Sequence, residues 1–439
     1  MFPAPSGQAH SAKRPNRAAL YDADVTVATD VPGLRPRGTA TGQRIWVYLS
    51  LATVSLINLI SNAPLQPNAH QNAWGDAINY YAMSEHTGAK VDNPFALRML
   101  SPWLAHVVNQ VTGVALDHVW LGLTLLFTLA ATIVFFEFLW SHLKLQLFTS
   151  SLAAVALACT FWYAPYAFSN PYLVDPLNNL LYLVALWLLF RQRLVLFTIV
   201  IVVGSINKET TLLLAPLYPL LAWTRSRSFK DRQVLFGGLA IVGAAILYFV
   251  FRIWAQNLIG ADYSLGSGQA NTGLLNNIVF ALSSNKGNEP GALWGTFYFF
   301  WVLFAYGLYL EYRERGLRSD LLTASLWLLA CCMAGRLVAT DTQRVFVMLA
   351  PLVIGLAAVV LDSRRGEARR LWVGLLVFVY VALNLRWVPA GASFAVEAGA
   401  LALFAALMFP PSRPPWRRPG QDGSVTEEFV PHRGSLGQN

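Results

Sequence analysis

At 439 residues the chain is 55% hydrophobic and 13% aromatic but only 13% charged, about half the charge of a water-soluble domain. Disordered, collagen-like and disulfide-scaffold classes are excluded, and an ordinary soluble enzyme nearly so. Thirty-two basic residues against 23 acidic ones give +9, an excess that in so apolar a chain sets membrane orientation rather than nucleic-acid binding.

Residues 1–44 are polar and rich in Pro, Gly and Arg, with no short apolar core and no cleavage site. They read as a disordered basic cytoplasmic arm, not a signal peptide. A helix needs roughly 20 apolar residues to cross a bilayer. About twelve runs meet that description approximately: 45–62, 117–140, 148–168, 175–190, 194–206, 209–223, 234–256, 291–311, 320–338, 345–362, 371–388 and 392–410. The expected fold is therefore all-α, a polytopic transmembrane helical bundle of about twelve spans over 45–410. A disordered cytoplasmic tail covers 411–439. Cys159, Cys331 and Cys332 sit inside apolar runs, so neither a disulfide framework nor zinc-finger spacing is expected. No internal repeat with a period of 20–50 residues is visible.

Placing both termini in the cytoplasm puts 24 of the 32 lysines and arginines in inner segments. That is a strong positive-inside bias. It predicts a multi-pass protein of the inner (plasma) membrane. The remaining eight cations, Lys90, Arg98, Lys208, Arg252, Lys286, Arg336, Arg344 and Arg386, fall on the outer side. Charge at membrane depth pairs, lines water or serves a site, although Arg252 and Arg386 can equally snorkel to the interface.

Residues 63–116 form the longest outer loop, and its patterning predicts two juxtamembrane helices. In Trp74–His86 the residues Trp74, Ala77 and Tyr81 share a face, while Leu97–Val111 carries Arg98 and His106 within an apolar stretch. Asp76 falls in a first helical turn, so capping accounts for it as readily as chemistry does. Arg98 fits a headgroup anchor equally well. Asp175, in the next outer turn, stands before Pro176 at a helix start, with Asn178 and Asn179 following. Capping would explain the aspartate alone, but the asparagines favour a polar cavity wall.

Asn207, Lys208 and Glu209 lie between two apolar runs too short to cross fully, which predicts a hairpin whose tip stays below the outer surface against protein or water. Adjacent residues on a helix do not face each other, so a mutual Lys208–Glu209 pair explains these charges poorly. Arg336, Asp341 and Arg344 lie within nine residues of one another. They suit an anionic headgroup and equally a self-satisfied turn. Asn257–Pro290 is Gly-, Asn- and Ser-rich and reads as a flap.

The stretches WGDAINYY, PFALRMLSPWLA, NPYLVDPLNNLLY, INKETTLLLAP and DTQRVFVMLAP resemble those of bacterial members of the GT-C superfamily of integral-membrane glycosyltransferases. The topology is similar along most of the chain, and residue-level likeness covers about sixty positions. The resemblance implies a polyprenyl-phosphate-linked sugar as donor and inverting transfer to a glycan, lipid or protein acceptor outside the cytoplasm. It implies Asp76 as general base, Asp175 assisting it or positioning the acceptor, and Lys208, Arg344 and Arg98 on the lipid phosphate. Tyr81, Asn179, Glu209, Arg336 and Asp341 complete the expected substrate-binding set. Many members carry Asp-x-Asp in the first loop, whereas Gly75-Asp76-Ala77 offers one acid. No cofactor is therefore expected, since the motif does not require a divalent metal. Two other readings stay open: a transporter or lipid flippase built on the broken spans, and a non-catalytic member of the same architecture.

Overall fold

A computed structural model describes residues 37–66, 69–89, 91, 95–259, 289–336, 342–363 and 368–408. All regular structure among them is helical. The first helix, α1 (Arg37–Asn62), leads to a 3-10 turn (Ala69–Asn72) and two shorter helices, α2 (Asp76–Glu85) and α3 (Leu100–Thr112). Next come α4 (Leu116–Glu137), α5 (Leu147–Cys159), α6 (Pro165–Ser169), α7 (Asp175–Phe190) and α8 (Leu194–Asn207). A 3-10 turn (Glu209–Leu214) precedes α9 (Leu217–Ser226) and the long α10 (Arg232–Ile259). The remaining helices are α11 (Glu289–Phe297), α12 (Phe300–Arg315), α13 (Asp320–Arg336), α14 (Thr342–Phe346), α15 (Ala350–Asp362), α16 (Ala368–Asn384) and α17 (Ala390–Met408).

Four stretches are long and apolar enough to cross a membrane: Thr41–Asn62, Leu116–His142, Arg232–Asn257 and Gln343–Asp362. A fifth arises if α11 and α12, bent by 76°, count as one. Helix length thus supports four or five crossings among the described residues, not the expected twelve. The reason is local. Run 148–168 stops at Cys159, where Thr160 turns to extended backbone, and Pro165 opens the separate helix α6. Run 209–223 divides into a 3-10 turn and α9 around Pro216. Run 291–311 breaks between Phe297 and Phe300, where Tyr298 has φ +49°. Helices α5, α7 and α8 hold 13, 16 and 14 residues. At about 1.5 Å per residue they are about 20–24 Å long, short of the roughly 30 Å hydrocarbon core.

Helix α1 begins at Arg37, within the stretch expected as the N-terminal arm. The Arg44 guanidinium lies 4.0 Å above the Trp140 ring and 3.9 Å from Glu137, contacts that hold this polar turn on the bundle. Residues 1–36, and 409–439 with the expected tail, lie outside the described residues.

Large apolar side chains cover the outside of α10. Phe236, Leu239, Ile246, Val250 and Ile253 are each more than half exposed. Water would not tolerate a continuous face of that kind; hydrocarbon does. By contrast, most of Gln343–Asp362 is buried. Inside, one large core joins α4, α5, α7, α12, α13 and α15, and a smaller one gathers Tyr80, Tyr81, Met99, Trp120, Tyr172 and Val174 under α2 and α3.

Charge sorts to the two ends of the bundle. At one end Tyr48 donates to Glu137 at 2.5 Å, Arg191 to Ser141 at 3.5 Å, and Arg225 pairs with Asp320. Asp117 and Asp175, which begin α4 and α7, stand at the other. There α8 turns back on itself tightly. A Cβ at Gly204 would lie 2.6 Å from Thr211 Cγ2 and 2.9 Å from its Oγ1, so the close approach of α8 to the Glu209–Leu214 turn requires glycine. Gly204→Val should spread this hairpin and destabilise the protein by about 1–3 kcal/mol, as overpacking does. A lower midpoint in detergent thermal unfolding checks it.

Candidate functional site

Four charged side chains from distant parts of the sequence meet at that end. Arg344, in α14, donates through Nη1 to Asp76 Oδ2 at 3.0 Å and through Nη2 to Asp175 Oδ2 at 2.9 Å. Lys208 donates through Nζ to Asp175 Oδ1 at 2.5 Å. One guanidinium thus bridges two carboxylates, and one of those carboxylates holds two cations. Arginine's planar fork makes this bridge, which a lysine ammonium would not reproduce.

A trio adjoins this quartet. Arg98 donates to both carboxylate oxygens of Glu209, with Nε at 3.0 Å from Oε2, and to the Tyr80 hydroxyl at 2.9 Å. Burial of Arg98 opposes its charge, yet Glu209 and Tyr80 outweigh that effect and hold the guanidinium well above its ordinary pKa. Burial in turn pushes the Tyr80 phenol above the usual tyrosine range and Tyr81 up to about 12, so both remain neutral near pH 7. Together the quartet and the trio pair three carboxylates with three cations. Their side chains keep between 11% and 35% of their surface open: enclosed enough for strong pairing, open enough for a ligand to reach them.

The backbone explains the placement. Gly75 has φ +62° and ψ −133°, a region essentially reserved for glycine, and it sets the sharp entry into α2 that starts at Asp76. Val174 and Pro176 flank Asp175 at the head of α7. Asn207 is fully buried and fastens that head to the hairpin tip: its amide donates to the Val174 carbonyl at 2.9 Å, and its Oδ1 accepts from Ser101 at 2.6 Å. Thr211 donates to Asn178 at 3.0 Å. Asn207 and Ser101 are positioning residues absent from the expected set. Asn207's place beside Lys208 was the available signal; Ser101 gave none, because its partner lies 106 residues away.

Tyr81 and Asn179, also expected at the site, make other contacts. Tyr81 is buried, with its ring stacked on His70 and edge-on to Tyr172. Asn179 turns its amide toward the Tyr163 carbonyl at 3.4 Å. Arg336 closes α13, and Asp341 lies outside the described residues, as do Lys90, Lys286 and most of the expected flap. Aromatic rings border the network. Tyr166 lies 5.8 Å from the Arg344 guanidinium, and Trp74, 55% exposed, meets Tyr166 edge-on at 5.8 Å. Among the described residues no three His, Cys, Asp or Glu side chains converge as metal ligands; Asp76 and Asp175 converge on Arg344 instead.

No protein-family model matches the chain, and no curated protein matches its sequence. The likeness to GT-C glycosyltransferases therefore rests on the residues quoted above.

Proposed function

We propose that the chain is an integral-membrane glycosyltransferase, moving a sugar from a polyprenyl-phosphate donor to a hydroxyl group on the extracytoplasmic side of the plasma membrane. One observation carries the reading. Asp76, Asp175, Lys208 and Arg344, spread over 269 residues of sequence, meet in a single partly open hydrogen-bonded network.

The chemistry follows from those groups. The acceptor oxygen bonds to the anomeric carbon, the bond from that carbon to the phosphate oxygen breaks, and the acceptor proton passes to Asp76. The departing polyprenyl phosphate gains negative charge, which Lys208 and Arg344 neutralise. Asp175 keeps these two cations together. In the present arrangement Arg344 also occupies one oxygen of Asp76, in the place where an acceptor hydroxyl would approach. A donor phosphate that draws Arg344 away frees Asp76 for the acceptor. Donor binding thereby prepares the base, and no proton is taken before the leaving group is in place. The test is transfer of radiolabelled sugar from a polyprenyl-phosphate donor by membranes with wild-type or Asp76→Asn protein.

The mutual pairing of all six charges also suits a non-catalytic member, in which the network is a structural latch. That reading expects no donor turnover by wild-type protein.

The short helices make up the remaining crossings: packed against longer neighbours, they span with polar ends sunk below the surface. About twelve spans then place both termini in the cytoplasm. In intact cells a membrane-impermeant maleimide should label Gln71→Cys, exposed in the first outer loop. It should label Ser228→Cys, in the Arg-rich turn after α9, only after permeabilisation. The opposite pattern reverses the topology and removes the extracytoplasmic site.

A further inference from the structure

The transfer chemistry leaves one polar constellation unused. Asp117, in the first turn of α4, accepts a hydrogen bond from the Tyr172 hydroxyl at 2.7 Å, and its Oδ2 lies 3.1 Å from His70 Nδ1. The His70 ring lies flat on Tyr81, with centroids 4.4 Å apart and planes 8° apart. These contacts fix the Asp117 carboxylate without enclosing it. Asp117 and Tyr172 line a cavity of about 170 Å³, with Gln66 and His118 as further polar groups and Leu121 and Pro171 among its apolar walls.

Size and lining define the occupant. The cavity is well below the roughly 300–1,000 Å³ of pockets for drug-sized ligands, so it takes a single ring. The lining offers a carboxylate, an amide and an imidazole as hydrogen-bond acceptors together with the apolar surface of Leu121 and Pro171. That matches a ring with several hydroxyl donors on its rim and a C–H face. The Asp117 carboxylate repels an anionic ring such as a uronate, a repulsive element that sharpens choice.

Location links the cavity to the network. Tyr172 stands three residues before Asp175 and Tyr81 five after Asp76, and their rings meet at 5.1 Å. We infer that this cavity binds an uncharged monosaccharide ring belonging to the acceptor, which is therefore a glycan. Calling that sugar the acceptor's rests on the transfer reading; sugar binding at Asp117 does not.

Saturation-transfer NMR on the full chain in nanodiscs tests it, with an uncharged oligosaccharide, the same oligosaccharide on a lipid anchor, and a uronate-containing oligosaccharide. The two uncharged arms separate a free glycan from a glycolipid headgroup. Wild-type protein should saturate at least one uncharged ligand and not the uronate. Leu121→Trp, which fills the cavity, should weaken that signal at least fivefold. Should Leu121→Trp fail to fold, the paired Gln66→Ala and His118→Ala changes, at two exposed positions, read out the same cavity with the same expected loss. Binding unchanged by these variants, equal binding of the uronate, or no uncharged ligand bound at all overturns the proposal. Sugar binding lost in the variants alongside absent donor turnover by wild-type protein would leave this site standing and sink the transferase reading. Donor turnover with unaffected sugar binding would do the reverse.

Discussion

Asp76→Asn should slow sugar transfer by about 10²–10⁴-fold, the range a general base contributes, while the protein reaches the membrane in normal amount. Asparagine matches aspartate in shape, and its carbonyl oxygen can still accept from Arg344, whose distance to the native carboxylate is 3.0 Å. The change removes the carboxylate's charge and with it the capacity to take a proton. Donor binding should persist, because Arg344 and Lys208 keep Asp175 between them. Initial rates at saturating donor, normalised to protein by immunoblot, measure the effect. A rate within twofold of wild type would strip Asp76 of its role and move the balance to the structural latch.

Arg344→Gln should have the largest effect on folding. Removing the guanidinium leaves Asp76 without its cation and Asp175 with only Lys208, and these carboxylates are 24% and 17% exposed. Stranding enclosed charge in this way is destabilising by about 3–5 kcal/mol. Arg344→Lys should recover little of it, since an ammonium is a point charge that cannot span both acids. Adding Asp76→Asn to Arg344→Gln should restore part of the lost stability, because the second change removes a charge that the first left unpaired. Thermal unfolding of the four proteins in one detergent measures the coupling. Simple additivity would show that the bridge does not hold the two acids together.

What could be read from the residues, and what could not, follows from how far each interaction reaches. The apolar stretches were plain because each is contiguous. Their breaks were not, because Pro165, Pro216 and the backbone at Tyr298 act through geometry that hydropathy ignores. Lys208, Asp175, Asp76 and Arg344 were legible as candidates because charge beside apolar runs is expensive. Their partners were not legible. Nothing local says that Arg98 meets Glu209 111 residues away, nor that Arg344 reaches Asp76 across 268. Asn179 misled for the opposite reason: its neighbour Asn178 took the contact with the hairpin, and one step around a helix turns a side chain by about 100°. His70 and Asp117 stayed hidden because an isolated histidine and a helix-start aspartate each have ordinary explanations.

Arg344 rides at one end of Gln343–Asp362, the most enclosed of the four long apolar stretches, whereas Arg232–Asn257 is mostly uncovered by protein. Every residue from Phe346 to Ala358 is buried, so a change of side-chain volume there must be taken up by packed protein neighbours. The same change in the lipid-facing helix is absorbed by fluid acyl chains. The aim of this arginine is therefore tied to the packing of core residues that lie outside the charged network.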